Sequence, residues 1–95
     1  MLFLVRMDVS LPRDLDAGER ERLLAEERER ALTLQRAGSW RHLWRVVGQY
    51  SNYSVFEVDS NAALHDILWS LPLFPFMRVE VVPLTTHPSA LDADA

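Results

Sequence analysis

The chain has 95 residues, a net charge of −4, and neither cysteine nor lysine. The missing cysteine excludes disulfides, thiolate nucleophiles, iron–sulfur clusters and cysteine-bound zinc, and the missing lysine excludes Schiff-base chemistry and an anchor for pyridoxal phosphate. The acidic balance disfavours nucleic-acid binding, and no apolar stretch suits a membrane span or a signal peptide. We therefore expect one cytoplasmic domain with a core large enough for a single ligand pocket.

Residues 1–10 alternate with a period of two, which predicts a first strand. One face consists of Phe3, Val5, Met7 and Val9. The other face starts with Leu2 and Leu4, so both faces are apolar near the N-terminus. Such a strand is covered on both sides, either by a helix and a second sheet or by a partner chain.

A charged helix is predicted from Glu19 to Arg36. Asp16 is a suitable N-cap, with Glu19 three residues later as in a capping box, and Gly38 marks the end of the helix. At about 100° per residue, one face of this helix is apolar. That face contains Leu23, Leu24, Ala31 and Leu34.

Glu27 falls in the middle of this apolar face. Burial removes water from a carboxylate and raises its pKa, which suits a group that carries a proton near neutral pH. The alternative is structural, because a buried glutamate often forms an ion pair with an arginine or a histidine. The helix pattern alone favours the structural role.

The second and third strands are predicted at residues 39–47 and 53–59, joined by a turn at residues 48–52. Strict alternation places Trp40, His42, Trp44 and Val46 on one face of the second strand, and Arg41, Leu43, Arg45 and Val47 on the other. A hairpin about this turn would pair Val46 near Ser54 and Trp44 near Phe56. Under this register the two arginines share a face with Tyr53 and Glu57.

A second helix follows Ser60, its N-cap, and ends at Pro72. Its apolar stripe consists of Leu64, Ile67, Leu68 and Leu71. A fourth strand covers residues 78–84, which gives a domain at 1–84 and a C-terminal tail at 85–95. We expect this tail to be disordered or packed on a neighbouring subunit.

The element order is βαββαβ, typical of an α+β ferredoxin-like fold with two helices on one face of a four-stranded antiparallel sheet. The opposite face keeps large apolar side chains, which predicts that two sheets meet in a dimer. The three histidines lack the spacing of metal ligands, and three glycines cannot form a phosphate loop. The remaining candidates are an inward carboxylate, an aromatic wall and arginines for an anion, a set that suits proton abstraction beside a carbonyl.

For each candidate a structural role is the simpler alternative. Trp40 and Trp44 suit core packing, His42 suits a satisfied buried histidine, and Tyr53 suits a strand surface. Arg41 and Arg45 could form ion pairs at an interface unless a ligand binds one of them, and alternation does not say which.

Several longer segments resemble the muconolactone Δ-isomerase family over nearly the full chain. They are MLFLVRM at 1–7, AEE at 25–27, WRHLWR at 40–45, NYSVF at 52–56, LHD at 64–66, LPLFP at 71–75 and HPS at 87–89. Two differences stand out. Leu4 replaces a histidine found in family members, and Leu24 and Arg28 stand on a helix that carries lysine in the family.

The resemblance implies a dimeric α+β barrel that assembles into a larger homo-oligomer, commonly a decamer. It also implies a cofactor-free, metal-free isomerase that converts (+)-muconolactone to 3-oxoadipate enol-lactone in catechol degradation by the β-ketoadipate pathway. For this reaction the resemblance favours Glu27 as the catalytic base and acid, and His42 is the next catalytic candidate. The expected substrate-binding residues are Arg41, Arg45, Trp44, Tyr53 and Ser54.

Two other functions stay open. A chloromuconolactone dehalogenase would begin with the same deprotonation and then expel chloride. A non-catalytic dimeric barrel would bind a small organic acid without consuming it. Because one fold hosts many activities, the fold does not separate these possibilities.

Overall fold

The computed structural model describes residues 1–91 and has the predicted element order. The elements are β1 (Leu2–Val9), α1 (Ala17–Arg36), β2 (Trp40–Arg45), β3 (Ser51–Glu57), α2 (Asn61–Trp69) and β4 (Met77–Leu84). A short 3₁₀ helix, Phe74–Phe76, precedes β4. The strands form one antiparallel sheet in the order β2–β3–β1–β4, which confirms the ferredoxin-like prediction.

The helices begin and end where local sequence signals place them. The Asp16 side chain accepts a hydrogen bond of 3.1 Å from the Glu19 amide, and Ser60 accepts one of 3.0 Å from the Ala63 amide. Gly38 has a φ of +84° directly after α1, a conformation that glycine adopts without a steric penalty. The capping box is half formed, because the Glu19 carboxylate pairs with Arg22 instead of returning to the cap.

Both helices pack on the same face of the sheet, which we call the inner face. The core lies between the helices and this face of the sheet. The sheet contributes Phe3, Val5, Met7, Trp40 and Phe56, and the helices with the residue Leu71 after α2 contribute Ala31, Leu34, Leu64, Leu68 and Leu71. Phe56, Val5 and Met7 are completely buried. This apolar layer holds the helices against the inner face of the sheet.

The β2–β3 hairpin differs from the predicted register because β2 contains a bulge. Trp40 lies opposite Phe56 and His42 lies opposite Val55, so two residues along β2 correspond to one residue along β3. Because Phe56 and Val55 are neighbours on β3, their side chains point to opposite faces, and the side chains of Trp40 and His42 therefore also point to opposite faces. The predicted pairing of Trp44 with Phe56 is therefore wrong, and Trp44 pairs with Tyr53.

The outer face of the sheet, which faces away from the helices, is apolar in part. Leu4 pairs with Val55 on one side and with Val82 on the other, and Val82, Leu84 and Trp44 are all exposed. After β4, residues 85–91 are exposed and form neither helix nor strand. Residues 92–95 of the predicted tail lie outside the described residues. Docking of the tail on a neighbouring subunit stays a prediction.

Candidate active site

A cavity of about 390 Å³ lies on the inner face, between α1, β2 and the segment that leads into β4. Its apolar wall includes Met7, Leu24, Trp40, Leu43, Leu73 and Met77. Its polar lining includes Glu27, Arg28, Gln35, Arg45, Tyr50 and Asn52. A mainly apolar cavity of this size with a few converging polar groups suits a small organic ligand.

Glu27 is half-buried in this cavity and bonds to the backbone of a distant segment. The Leu73 amide donates a hydrogen bond of 2.8 Å to Glu27 Oε1. Burial raises the pKa of the Glu27 carboxyl, and the bond from Leu73 offsets part of that rise. Within residues 1–91, Glu27 forms no ion pair, so the structural alternative of a buried ion pair does not describe this group.

The neighbouring acid, Glu26, has the opposite environment. It is exposed and accepts a bond of 2.8 Å from Arg22, one turn earlier on α1. The two carboxylates differ because one residue rotates a helix by about 100°. Glu27 therefore combines desolvation with access to the cavity, whereas Glu26 is a solvated surface charge.

The bulge in β2 separates the two arginines that alternation had placed together. Arg45 lines the cavity, and its guanidinium lies 5.3 Å from the centre of the Tyr50 ring. Arg41 instead donates a bond of 2.6 Å to Glu57, which lies on the outer face. The prediction that both arginines share a face is therefore wrong, and Arg45 is the one placed to contact a ligand beside Glu27.

Three other predicted site residues lie on the outer face. His42 and Trp44 are exposed there, with their rings stacked 5.0 Å apart. Tyr53 pairs with Trp44 across the strands, and its hydroxyl accepts a bond of 3.1 Å from Arg6. The strict alternation that placed His42 and Trp44 on the face of Trp40 is wrong, because the inserted bulge residue reverses the two faces after Trp40. Tyr53, predicted to share a face with both arginines, shares its face with Arg41 but not with Arg45. Their predicted roles in catalysis and binding stay predictions.

Ser54 is fully buried and does not line the cavity. Its hydroxyl donates a bond of 2.7 Å to Asn52 Oδ1, and Asn52 does line the cavity. Ser54 therefore contacts a residue that lines the cavity but does not itself reach the cavity. Asn52 was not predicted because it was assigned to the turn, although β3 already begins at Ser51.

Arg28 and Trp40 are two further cavity residues to which the sequence analysis gave no role in the site. Arg28 follows Glu27 on α1 and lies one turn from Leu24, so the helical pattern could have placed it at the cavity. Trp40 is buried and stacks on Phe56, and its indole N–H has no hydrogen-bond partner within the described chain.

Residues 1–91 contain no group of three or more histidine, aspartate or glutamate side chains arranged to bind a metal ion. None of the helices in this part of the chain is both long enough and apolar enough to span a membrane.

The family profile described as muconolactone delta-isomerase matches residues 1–90. The chain belongs to the muconolactone Δ-isomerase family. A Muconolactone Delta-isomerase of Pseudomonas aeruginosa is 57% identical over 94 residues, which is 99% of this chain and 98% of the relative. Another from Rhodococcus opacus is 56% identical over 88 residues, 93% of this chain and 95% of the relative.

A solved structure of this family agrees with the fold. A crystal structure of muconolactone isomerase has a TM-score of 0.94 and 55% sequence identity, and the match covers 99% of this chain and 98% of that chain. The resemblance and fold inferred from the sequence are thereby confirmed. Leu4, which departs from the family pattern, lies on the outer face, away from Glu27.

Proposed function

We propose that this chain isomerises (+)-muconolactone to 3-oxoadipate enol-lactone without a cofactor, as a step in catechol degradation. One observation supports the chemistry above the others: the Glu27 carboxyl reaches a largely apolar cavity, has a raised pKa, and has no ion-pair partner within the described chain. The names of the similar proteins support the substrate.

The reaction needs one group that first removes a proton and then returns it. Glu27 takes the proton from the oxygen-bearing ring carbon, and the electron pair of that C–H bond moves through the ring double bond toward the lactone carbonyl oxygen. The resulting dienolate accepts the same proton on the carbon next to the carbonyl, two carbons away. The double bond has moved, Glu27 is again a carboxylate, and nothing has been oxidised or reduced.

The environment of Glu27 suits both halves of this cycle. A carboxylate in water is a weak base, and loss of water raises its pKa toward the pH at which it works. The bond from the Leu73 amide holds Oε1 and leaves the other carboxylate oxygen for the proton. Glutamates with raised pKa values perform similar proton transfers in other enzymes.

Arg45 is the residue we assign to the carboxylate of the substrate. It lines the same cavity, its guanidinium lies over the Tyr50 ring, and within residues 1–91 it forms no ion pair, so the guanidinium can bind an anion. A guanidinium matches the two oxygens of a carboxylate, and a charge-assisted hydrogen bond contributes about 1.5–3 kcal/mol. Arg41 is less suited because it is bonded to Glu57 on the outer face.

The direct test follows the absorbance of the lactone in the ultraviolet, with purified protein and no added metal or cofactor. Loss of the conjugated lactone supports the proposal. Binding of the lactone without its consumption would contradict it and would support a non-catalytic acid-binding protein. Release of chloride from a chlorinated lactone, with no turnover of the plain lactone, would contradict it in favour of a dehalogenase.

We also propose that the active form is a cytoplasmic homo-oligomer built from dimers. Support comes from the outer face, where Val82, Leu84 and Trp44 are exposed with no cover from the chain's own helices. Apolar side chains grouped on one sheet face are typical of an interface between subunits. His42 and Tyr53 on that face would then lie at the contact between copies.

A further inference from the structure

The cavity holds a second cation that the reaction as described above does not use. Arg28 lines the cavity with Glu27 and Arg45. Within residues 1–91, Arg28 forms no hydrogen bond, ion pair or ring contact, and none of the α1 residues three or four positions away from it is acidic. Arg22, on the same helix, pairs with Glu19 and with Glu26. An arginine left unpaired at the wall of a cavity is therefore available to a ligand.

The charges of the cavity do not balance without an anionic ligand. Among residues 1–91, its lining contains two arginines and one carboxyl group, and burial raises the pKa of that carboxyl. When Glu27 is protonated, the two guanidinium charges have no counter-charge among these lining residues. This state of Glu27 occurs after it has taken the substrate's proton, which is also when the bound species carries most negative charge.

We propose that the cavity is matched to a dianion, with Arg45 bound to the permanent carboxylate and Arg28 bound to the oxygen on which negative charge develops. The inference rests on the proposed function and adds a catalytic residue to it. The lactone substrate has one negative charge, whereas its dienolate has two. A cation that contacts the oxygen carrying the second charge stabilises the dienolate more than the substrate. Such a difference lowers the free-energy barrier to the reaction.

The positions of the two arginines favour this assignment over the reverse. Arg28 lines the cavity from α1, the helix that also carries Glu27. The carbonyl oxygen of the lactone is attached to the neighbour of the carbon to which Glu27 returns the proton. Arg45 projects from the end of β2, where its guanidinium packs over the ring of Tyr50. A group held by an aromatic ring suits a charge that is present throughout the reaction.

The first experiment measures binding and needs no turnover. Adipate, a six-carbon dianion, and hexanoate, a six-carbon monoanion, are titrated into the wild-type protein by calorimetry. We expect adipate to bind at least about tenfold more tightly, because a second charge-assisted contact exceeds the gain from burying a methyl group. Arg28→Gln should abolish this preference, and Arg20→Gln, an exposed arginine of the same helix outside the cavity, should leave it unchanged. Equal affinity for the two acids in the wild type would overturn the inference.

The second experiment separates a catalytic role from simple binding. Arg28→Gln should lower kcat by about tenfold to a hundredfold with little change in KM. This is at or below the lower end of the range for loss of an oxyanion donor, because solvent screens an exposed guanidinium. Arg45→Gln should mainly raise KM. A reversed pattern, or an Arg28→Gln variant with unchanged kcat, would overturn the assignment.

The two experiments distinguish failure of this inference from failure of the proposed function. If the lactone is consumed but adipate has no advantage over hexanoate, the dianion site is wrong and the isomerase function stands. If adipate binds through Arg28 but no lactone is consumed, the isomerase function and the catalytic role of Arg28 are wrong. Unchanged circular dichroism of each variant excludes misfolding as the cause.

Discussion

Replacement of Glu27 by glutamine removes the carboxyl group while preserving its size and its contact with the backbone. The Leu73 amide donates to Glu27 Oε1 over 2.8 Å, and a glutamine Oε1 can accept the same bond. Burial raises the pKa of the carboxyl, so the charged form is disfavoured in the folded protein and a neutral amide imposes no such cost. The variant should therefore fold as the wild type does.

The expected loss of activity follows from the removal of the only carboxyl group among the described residues that line the cavity. General acid–base catalysis contributes about 10²- to 10⁴-fold to a rate, so kcat should fall by at least about 10²-fold. A hundredfold loss corresponds to about 2.7 kcal/mol of transition-state stabilisation. KM should change little, because Arg45 still binds the substrate's carboxylate.

Ultraviolet absorbance of the lactone gives the rate, and Glu26→Gln is the matched control. Glu26 is one residue away, and its contact with Arg22 is an exposed ion pair that solvent screens, so it contributes little to stability. Glu26→Gln should therefore retain full activity. If Glu26→Gln is the impaired variant, or if Glu27→Gln retains its kcat, Glu27 is not the proton carrier. A group on the outer face, His42 first, would then have to be tested in the assembled protein.

Three other predictions follow from the same geometry. Arg45→Met should raise KM by about tenfold to a hundredfold, the loss of one charge-assisted contact, whereas Arg41→Met should leave KM unchanged; steady-state kinetics of the two variants would contradict the assignment if their effects were exchanged. As pH rises, the wild type should lose unfolding free energy relative to the Glu27→Gln variant. Because the folded-state pKa of Glu27 is raised, the stability contributed by its protonated form is complete below the unfolded-state pKa of about 4.3 and is lost as pH rises through the folded-state pKa. Urea titrations at low and neutral pH that show a constant difference in unfolding free energy between the two proteins would refute the shift. Sedimentation at micromolar concentration should show no stable 11.0 kDa monomer, and removal of residues 85–95 should weaken the assembly; a truncated protein of unchanged mass and rate would show that the tail has no such role.

Most of the fold could be predicted because its signals are local. A cap such as Asp16 or Ser60 bonds to a backbone amide three residues away, and Gly38 adopts its positive φ within the turn that ends α1. The period of apolar residues on α1 likewise depends only on the helix itself, so the inward position of Glu27 could be inferred before any contact was known. Element order and the resemblance to the family then predicted the sheet.

The sequence by itself therefore determined the order of the elements, where they begin and end, and that Glu27 faces the core. Only the tertiary structure decided which side of the sheet each β2 residue faces. The bulge between Trp40 and His42 has no signal in the sequence, and a shift of one residue reverses every later side chain because the strand period is two. That reversal brings Arg45 to the cavity and sends His42 to the outer face, whereas Arg41 stays on the face opposite Trp40. The bond from Leu73 to Glu27 joins residues 46 positions apart, and no local pattern could have predicted it.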